Sequence, residues 1–420
     1  MNTSSRRRRG AMIAIQVVVV LVLAEVAVRL VAPHYRGLRM LLGAPAGATD
    51  FSDADTLPEI MNRTMLGFSP GSVEYGFVLN SRSFRTREYE PSPARGVFRV
   101  VALGDSFTFA SGALPHEDHW TTLVEEGLNG VSDHPVEVLR LGVPDTGPAF
   151  QLRLWQVEAS RLRPDVVVMA FFIGNDFIDH QGDCGVFGGG NRGFSGRLAS
   201  VSVLYRAARN LRRVWSAGAD PADQRGTGEI PEPGRPIPGY REAFDPDRPT
   251  FSRERFVAIE AERMALCLRS EKDAFQQLAD RAAGVVMDLA TEAGQAGARF
   301  VVMVIPDQYQ VDQTLVEEVL SANGTRREDY DFDRPQRALG RTLGSAGIEV
   351  LDLLPVFRRA SVGDTPYRPQ DTHWNRRGNE LAALALAEVL APSGVFRGAA
   401  VYSDGLESGR PDAWSLVESR

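Results

Sequence analysis

Five apolar runs of strand length stand out along the chain, at 97–103, 136–141, 165–173, 299–305 and 348–353. Most are uninterrupted rather than alternating, which is the pattern of strands covered on both faces. Between them apolar residues recur at helical spacing over 117–129, 148–162, about 251–295 and 334–344, and a last helix is predicted over 376–391. Alternating strands and helices predict an α/β domain on a parallel sheet with right-handed crossovers, occupying roughly 96–395. No internal repeat stands out.

Three segments depart from this rhythm. Residues 33–95 are rich in turns, with a short strand and turn at Tyr75–Ser81, and read as a stalk and added subdomain. Residues 181–250 contain Gly188-Gly189-Gly190, a helical island from Arg197 to Trp215 and a Pro-rich stretch from Pro231 to Pro236. A connection of that length is expected either to cover a functional site or to be disordered. The tail, 396–420, is weakly patterned.

The N-terminus has a different logic. Arg6 to Arg9 precede an apolar run from Ala11 to Ala24 that continues, past Glu25 and Arg29, to Ala32. About 20 helical residues cross a bilayer core, so 11–32 is expected to be a transmembrane anchor. The basic tail, 1–10, would then stay cytoplasmic and the main body would face the periplasm or the exterior. Cleavage after Val22-Leu23-Ala24 is the competing reading.

Composition narrows the function further. The 420 residues carry a formal charge of −7, and beyond the N-terminus the basic residues are unclustered, which argues against nucleic acid as a partner. The two cysteines, Cys184 and Cys267, are either one disulfide or two thiols. Oligomeric state is not legible.

Candidate chemistry sits at the ends of the predicted strands. Val100-Val101-Ala102-Leu103 runs into Gly104-Asp105-Ser106, delivering a hydroxyl to the top of the sheet. Phe172-Ile173-Gly174-Asn175-Asp176 closes a second strand, and Asp371-Thr372-His373 precedes the last helix, which Asn375 is placed to cap. A serine needs a base and the base needs an orienting acid, so Ser106, His373 and Asp371 form a candidate triad. Candidate oxyanion donors are the Ser106 N–H, the Asn175 amide and a backbone N–H in the loop Gly142–Gly147. Ser106 lacks the Gly-x-Ser-x-Gly elbow, since Thr108 stands where its second glycine would be. His116-Glu117-Asp118-His119 reads as a solvated helix cap, and Asp179, His180, Asp183 and Cys184 as lining of a cleft. No metal or cofactor is expected.

In these blocks the chain resembles the SGNH, or GDSL, hydrolases over roughly 96–395. Gly104-Asp105-Ser106-Phe107-Thr108 looks like the first block, Gly174-Asn175-Asp176 the third and Asp371-Thr372-His373 the fifth. The resemblance implies a flavodoxin-like three-layer α/β/α fold and metal-free cleavage or transfer of acyl esters. It implies Ser106 as nucleophile, His373 as base, Asp371 as its partner and Asn175 in the oxyanion hole. The spacing Asp-x-His departs from the commoner Asp-x-x-His and is similar to relatives acting on exopolysaccharides, including the alginate acetylation proteins. Asp145 stands where the second block usually has glycine, so the second-block donor is its backbone N–H or that of Gly142 or Gly147. Asp105, Asp176, Gln308 and Trp374 are weaker candidates for substrate binding. The expected substrate is an acyl ester, in particular an O-acetyl group of an envelope or exported glycan. The same residues would serve an O-acyltransferase, and a non-catalytic glycan-binding envelope protein is the third reading, which Asp145 favours.

Overall fold

The computed structural model describes residues 55–64, 68–110, 112–178, 230–361 and 365–391, with helical residues at 16, 19–20 and 23–28. Its strands, in chain order, are β1 (Val73–Glu74), β2 (Phe77–Val78), β3 (Phe98–Gly104), β4 (Val136–Gly142), β5 (Val166–Phe172), β6 (Arg235–Pro236), β7 (Arg299–Ile305) and β8 (Glu349–Asp352). The main sheet is wholly parallel in the order β4-β3-β5-β7-β8, which is the 2-1-3-4-5 order of doubly wound folds.

The uninterrupted apolar runs are explained by burial on both faces. In β3, Val101 and Leu103 enter one core while Val100 and Ala102 enter the other. Every residue of the central β5 is buried. One core is closed by the helices Pro148–Val157, Lys272–Gln295 and Arg334–Ser345, with Phe150, Trp155, Phe275 and Leu339 among its members. The other is closed by Trp120–Asn129, Leu354–Ala360 and Arg376–Leu390, around Trp120, Phe357, Trp374 and Leu386. The result is the α/β/α sandwich expected from the alternation.

Several boundaries differ from the sequence expectation. The helix expected over 251–295 is two helices, Arg253–Met264 and Lys272–Gln295, joined by two 3₁₀ turns. The chain leaves helical geometry at Leu268, which bridges to Tyr330, and Arg334 donates to the carbonyls of Leu266 and Leu268 that the break frees. The helix expected over 148–162 stops at Val157, because Glu158 turns inward to meet Arg82 and the Tyr89 hydroxyl. Residues 116–118 form a 3₁₀ turn, so the next helix begins at Trp120 rather than at 117. Helices not anticipated include Leu57–Arg63, Gln313–Asn323, capped by Asp312, and Leu354–Ala360.

Outside the main sheet, β1, β2 and β6 form a small antiparallel sheet that joins 73–78 to 235–236. Of the region 181–250, residues 181–229 lie outside the described residues, as do 33–54 and the tail. Most of the expected membrane segment, 11–32, does too, and no described helix is long and apolar enough to cross a membrane. Cys184 is likewise outside them, whereas Cys267 is buried beside the Tyr309 hydroxyl, 3.5 Å from its sulfur.

One glycine is fixed by close approach. A Cβ on Gly142, at the end of β4, would lie 2.3 Å from the Phe109 nitrogen and 2.4 Å from the Thr108 carbonyl carbon. Backbone atoms cannot yield as side chains do. Gly142→Ala is therefore expected to destabilise the protein by about 1–3 kcal/mol, seen as a lowered urea midpoint at an unchanged slope; an unaltered midpoint would show that the two backbones are free to part.

Candidate active site

The turn that carries Ser106 grows directly out of β3. Gly104 ends the strand against Thr108, whose hydroxyl would lie 2.2 Å from any Cβ at that position. Asp105 then caps the short helix Ser106–Phe109, its Oδ1 accepting from the Phe107 N–H at 2.9 Å. The turn is also clamped from behind. The Phe107 carbonyl accepts from the Trp120 indole at 3.1 Å and from His119 Nε2 at 3.0 Å. His119 is buried and holds the neutral form, since burial, then Arg140, keeps its pKa well below the usual imidazole value. It caps the helix Trp120–Asn129 through Nδ1, which accepts from Thr121 N–H. The expected solvated cap is thus a buried clamp, and His116 beside it accepts from Arg140 Nη2 at 2.6 Å.

The base comes from a tight hairpin. Tyr367 pairs with Trp374, and the Arg368 N–H donates to the His373 carbonyl, so the loop between them presents both Asp371 and His373. Asp371 Oδ1 accepts from the His373 backbone N–H at 2.9 Å and from His373 Nδ1 at 2.7 Å. A carboxylate acceptor at Nδ1 puts the proton there, leaving Nε2 to accept the Ser106 hydroxyl at 2.9 Å. Burial alone would raise the Asp371 pKa. The neighbouring His373, together with hydrogen bonds from His373 and Thr250, outweighs it and holds the carboxyl well below its usual range. Asn375 then caps Arg376–Leu390 by accepting from Gly378 N–H at 3.0 Å.

Facing Ser106 is the turn after β5. Asn175 Nδ2 donates to Asp105 Oδ2 at 3.3 Å, which aims the amide along the nucleophile turn and leaves its second hydrogen for a ligand. Gly174 is needed for close approach rather than for a special backbone angle: a Cβ there would lie 2.4 Å from Asp307 Oδ2 and 2.4 Å from the Phe172 ring. Asp145 has φ +58, the left-handed region that favours glycine and tolerates aspartate. The residue usual at this place in the block is therefore explained by backbone geometry, which Asp145 retains; burial raises the pKa of its carboxyl against the nearby charge of His373. Gly142 is packed against Thr108 and Phe109, and Gly147 is the extended N-cap of the helix Pro148–Val157.

The structure assigns several predicted substrate-binding residues elsewhere. Asp105 and Asp176 are fully buried; the first caps the nucleophile turn, and the second accepts from Phe172 N–H at 2.8 Å to hold the Asn175 turn. Trp374 is 2% exposed and packs edge-on against Phe107 and near Phe357, so it lies beneath the site instead of in the cleft. Gln308 is buried, with Nε2 turned to Asp312 at 3.4 Å. Asp179, His180, Asp183 and Cys184 lie outside the described residues, among which no acid, imidazole or thiol cluster is placed to hold a metal.

Sequence reasoning did not find Thr250 or Arg368. The Thr250 hydroxyl donates to Asp371 Oδ2, while Arg368 sits 3.7 Å from the same oxygen and donates to the carbonyls of Gly112 and Arg248. No local signal marks Thr250, whose partner Asp371 is 121 residues away, and Arg368, although three residues from Asp371, takes its carbonyl acceptors from Gly112 and Arg248, both more than a hundred residues away. Buried Glu260 and Asp307 are both ion-paired with Arg263, at 3.6 and 3.7 Å, and Asp307 backs the Gly174 turn.

Residues 265–401 match the family described as "SGNH hydrolase-like domain, acetyltransferase AlgX". The match includes Asp371 and His373 and not Ser106 or Asn175. A comparison with curated proteins gives no match. Among solved structures, the chain is similar to the acetyl xylan esterase AlAXEase, at 14% identity and TM-score 0.37, over 70% of this chain and 100% of that one. It is similar to a putative lipolytic protein of the G-D-S-L family from Desulfitobacterium hafniense DCB-2, at 13% identity and TM-score 0.32, over 70% and 99%. It is also similar to TesA, at 11% identity and TM-score 0.36, over 70% and 98%.

The Asp105 carboxyl carries a pH signature. Burial pushes its pKa up to about 6 against hydrogen bonds from Phe107 and Asn175 and the charge of His373, so the folded protein keeps a proton that the unfolded chain loses near pH 4. Stability attributable to this group is present below about pH 4 and is lost as pH rises through 6. Asp105→Asn keeps the cap without the charge. Relative to wild type it is expected to gain up to ~3 kcal/mol in urea unfolding between pH 4.5 and 7.5; a difference between the two proteins that does not change with pH would refute this.

Proposed function

We propose that this chain, a member of the SGNH hydrolase family and an enzyme of carboxylic esters, works on O-acetyl groups of a glycan outside the cytoplasm. The observation that carries the reading is the unbroken chain from Asp371 through His373 to the Ser106 hydroxyl, with contacts of 2.7 and 2.9 Å. Serine hydroxyls become nucleophiles when a base of this kind is within hydrogen-bond reach. Ser106 Oγ attacks the ester carbonyl as its proton passes to His373 Nε2, and Asp371 stabilises the imidazolium. The tetrahedral oxyanion is met by the Ser106 N–H, the free hydrogen of the Asn175 amide and the Asp145 N–H. Collapse expels the sugar oxygen, which takes the proton from His373 and leaves an acyl-enzyme.

Water or a second hydroxyl then resolves that intermediate. Transfer to a sugar is favoured by one observation: the matched family is described as an acetyltransferase, and the match includes the Asp-x-His block. The glycan and the location rest on the sequence, namely the basic tail Arg6–Arg9 ahead of the apolar run and the shortened Asp-x-His spacing. The binding-protein reading rests on Asp145, whose left-handed backbone is one that the catalytic reading also accommodates.

Turnover of p-nitrophenyl acetate tests the core of the reading. Ser106→Ala is expected to fall to background and Asp371→Asn by about 10⁴-fold, whereas Asn175→Ala should lose about 10²–10³-fold in kcat. Equal rates for wild type and Ser106→Ala would overturn the serine mechanism. Added acetyl-acceptor oligosaccharides separate the two fates: acetylated sugar accumulating at the expense of acetate marks transfer, and acetate alone marks hydrolysis.

A further inference from the structure

Asp371 is 1% exposed, and the two oxygens of its carboxylate are held by different parts of the chain. Oδ1 accepts twice from His373, from the backbone N–H and from Nδ1. Oδ2 accepts from the hydroxyl of Thr250, the one hydrogen-bond donor it has among the described residues. Arg368 stands 3.7 Å from that oxygen, but its own hydrogen bonds go to the carbonyls of Gly112 and Arg248. The χ2 torsion of an aspartate is broad, so contacts to one oxygen leave the plane of the carboxylate free to swing. A donor on the second oxygen removes that freedom.

Thr250 reaches this oxygen because its segment is strapped to the hairpin that carries Asp371 and His373. The Thr250 N–H donates to the Pro369 carbonyl at 3.4 Å and the Phe251 N–H to the Gln370 carbonyl at 3.2 Å, while Arg368 Nη2 donates to the Arg248 carbonyl at 3.2 Å. Gln370, immediately before Asp371, has φ +47, a left-handed backbone that a residue other than glycine adopts at a cost. Such conformations persist where the surroundings over-determine them, and the strap supplies those contacts. The strap is itself anchored. Ser252 caps the helix Arg253–Met264 by accepting from Arg255 N–H at 3.3 Å, and Arg253 Nε donates to Glu318 at 2.9 Å. Thr250 is exposed, so its side chain fills no part of the core.

We propose that Thr250 is a positioning residue for ester cleavage: its hydroxyl fixes the plane of the Asp371 carboxylate and, through it, the ring of His373 against Ser106. The inference rests on the serine mechanism proposed above. Thr250 acts on the reaction only through Asp371, which makes the strap 248–251 part of the machinery although it lies 121 residues from the acid it serves.

Steady-state turnover of p-nitrophenyl acetate by the full chain tests this. Thr250→Val keeps the shape of the side chain and removes the donor, so kcat is expected to fall about 10–100-fold with KM unchanged. Thr250→Ser keeps the donor and is expected to recover most of that loss. In an Asp371→Ala background, Thr250→Val is expected to change kcat no further, since the group it acts through is gone. Wild-type kcat in Thr250→Val, a loss in Thr250→Ser as large as in Thr250→Val, or losses that multiply in the double variant would each overturn the proposal. A wild type no faster than Ser106→Ala is a different failure: it overturns the serine mechanism, and this inference with it. Thr250 is exposed, so its two variants decide the matter even where Asp371→Ala does not fold.

Discussion

A hydrogen bond of 2.9 Å joins Ser106 to His373 across 267 residues of sequence, and most of the surrounding structure can be understood as what keeps it in register. Neither partner is held by local structure alone. Ser106 is positioned by β3, by the Asp105 cap, and by His119 and Trp120, which together fix the carbonyl of Phe107. His373 is positioned by the Tyr367–Trp374 hairpin and by Asp371. Phe107 and Trp374, one from each side, pack edge to face beneath the contact at 5.0 Å. The apolar floor and the polar chain above it are thus one assembly.

The site occupies the place where a doubly wound sheet reverses its strand order. β3 supplies Ser106, and its neighbour β5 supplies Asn175. Helices depart in opposite directions from this point, which leaves the crevice in which such folds bind ligands. Tight packing there explains the glycines. Gly104, Gly142 and Gly174 each stand where a Cβ would meet another atom within 2.5 Å, so the strand ends and the nucleophile turn come closer than side chains permit. Close packing also carries a charge cost, since Asp105, Asp176, Asp307 and Glu260 are all fully buried around the turn. Hydrogen bonds from backbone N–H groups to the three aspartates, and ion pairs from Arg263 to Glu260 and Asp307, offset it.

Asp145 shows how a substitution in a sequence block is read differently once the backbone is known. As a residue type, a carboxylate beside an oxyanion looks prohibitive. As a conformation, φ +58 is what the position requires, and the donor is a backbone N–H that any residue carries. The geometry of the block thus persists under a different residue.

The sequence by itself determined the layers of the fold and pointed to Ser106, Asp371 and His373, which the structure brings into one hydrogen-bonded chain. Both are written in local patterns: apolar runs bounded by glycine for the five strands, and Gly-Asp-Ser, Gly-Asn-Asp and Asp-x-His at their ends. It also marked the Asn375 cap, which a single side chain makes with a nitrogen three residues on. Tertiary structure alone decided which polar residues are buried. Asp105, Asp176, Gln308 and Trp374 are indistinguishable from cleft residues in sequence, yet packing from distant elements buries each of them. The break at Leu268 was invisible for a related reason, because it depends on Tyr330 and Arg334 more than sixty residues away. Thr250 belongs to the same class, since it supports Asp371 from 121 residues away, and so do the Gly112 and Arg248 carbonyls that hold Arg368. Periodicity reports what a residue does to its own strand or helix, whereas burial and charge pairing are set by whichever segment the fold brings alongside.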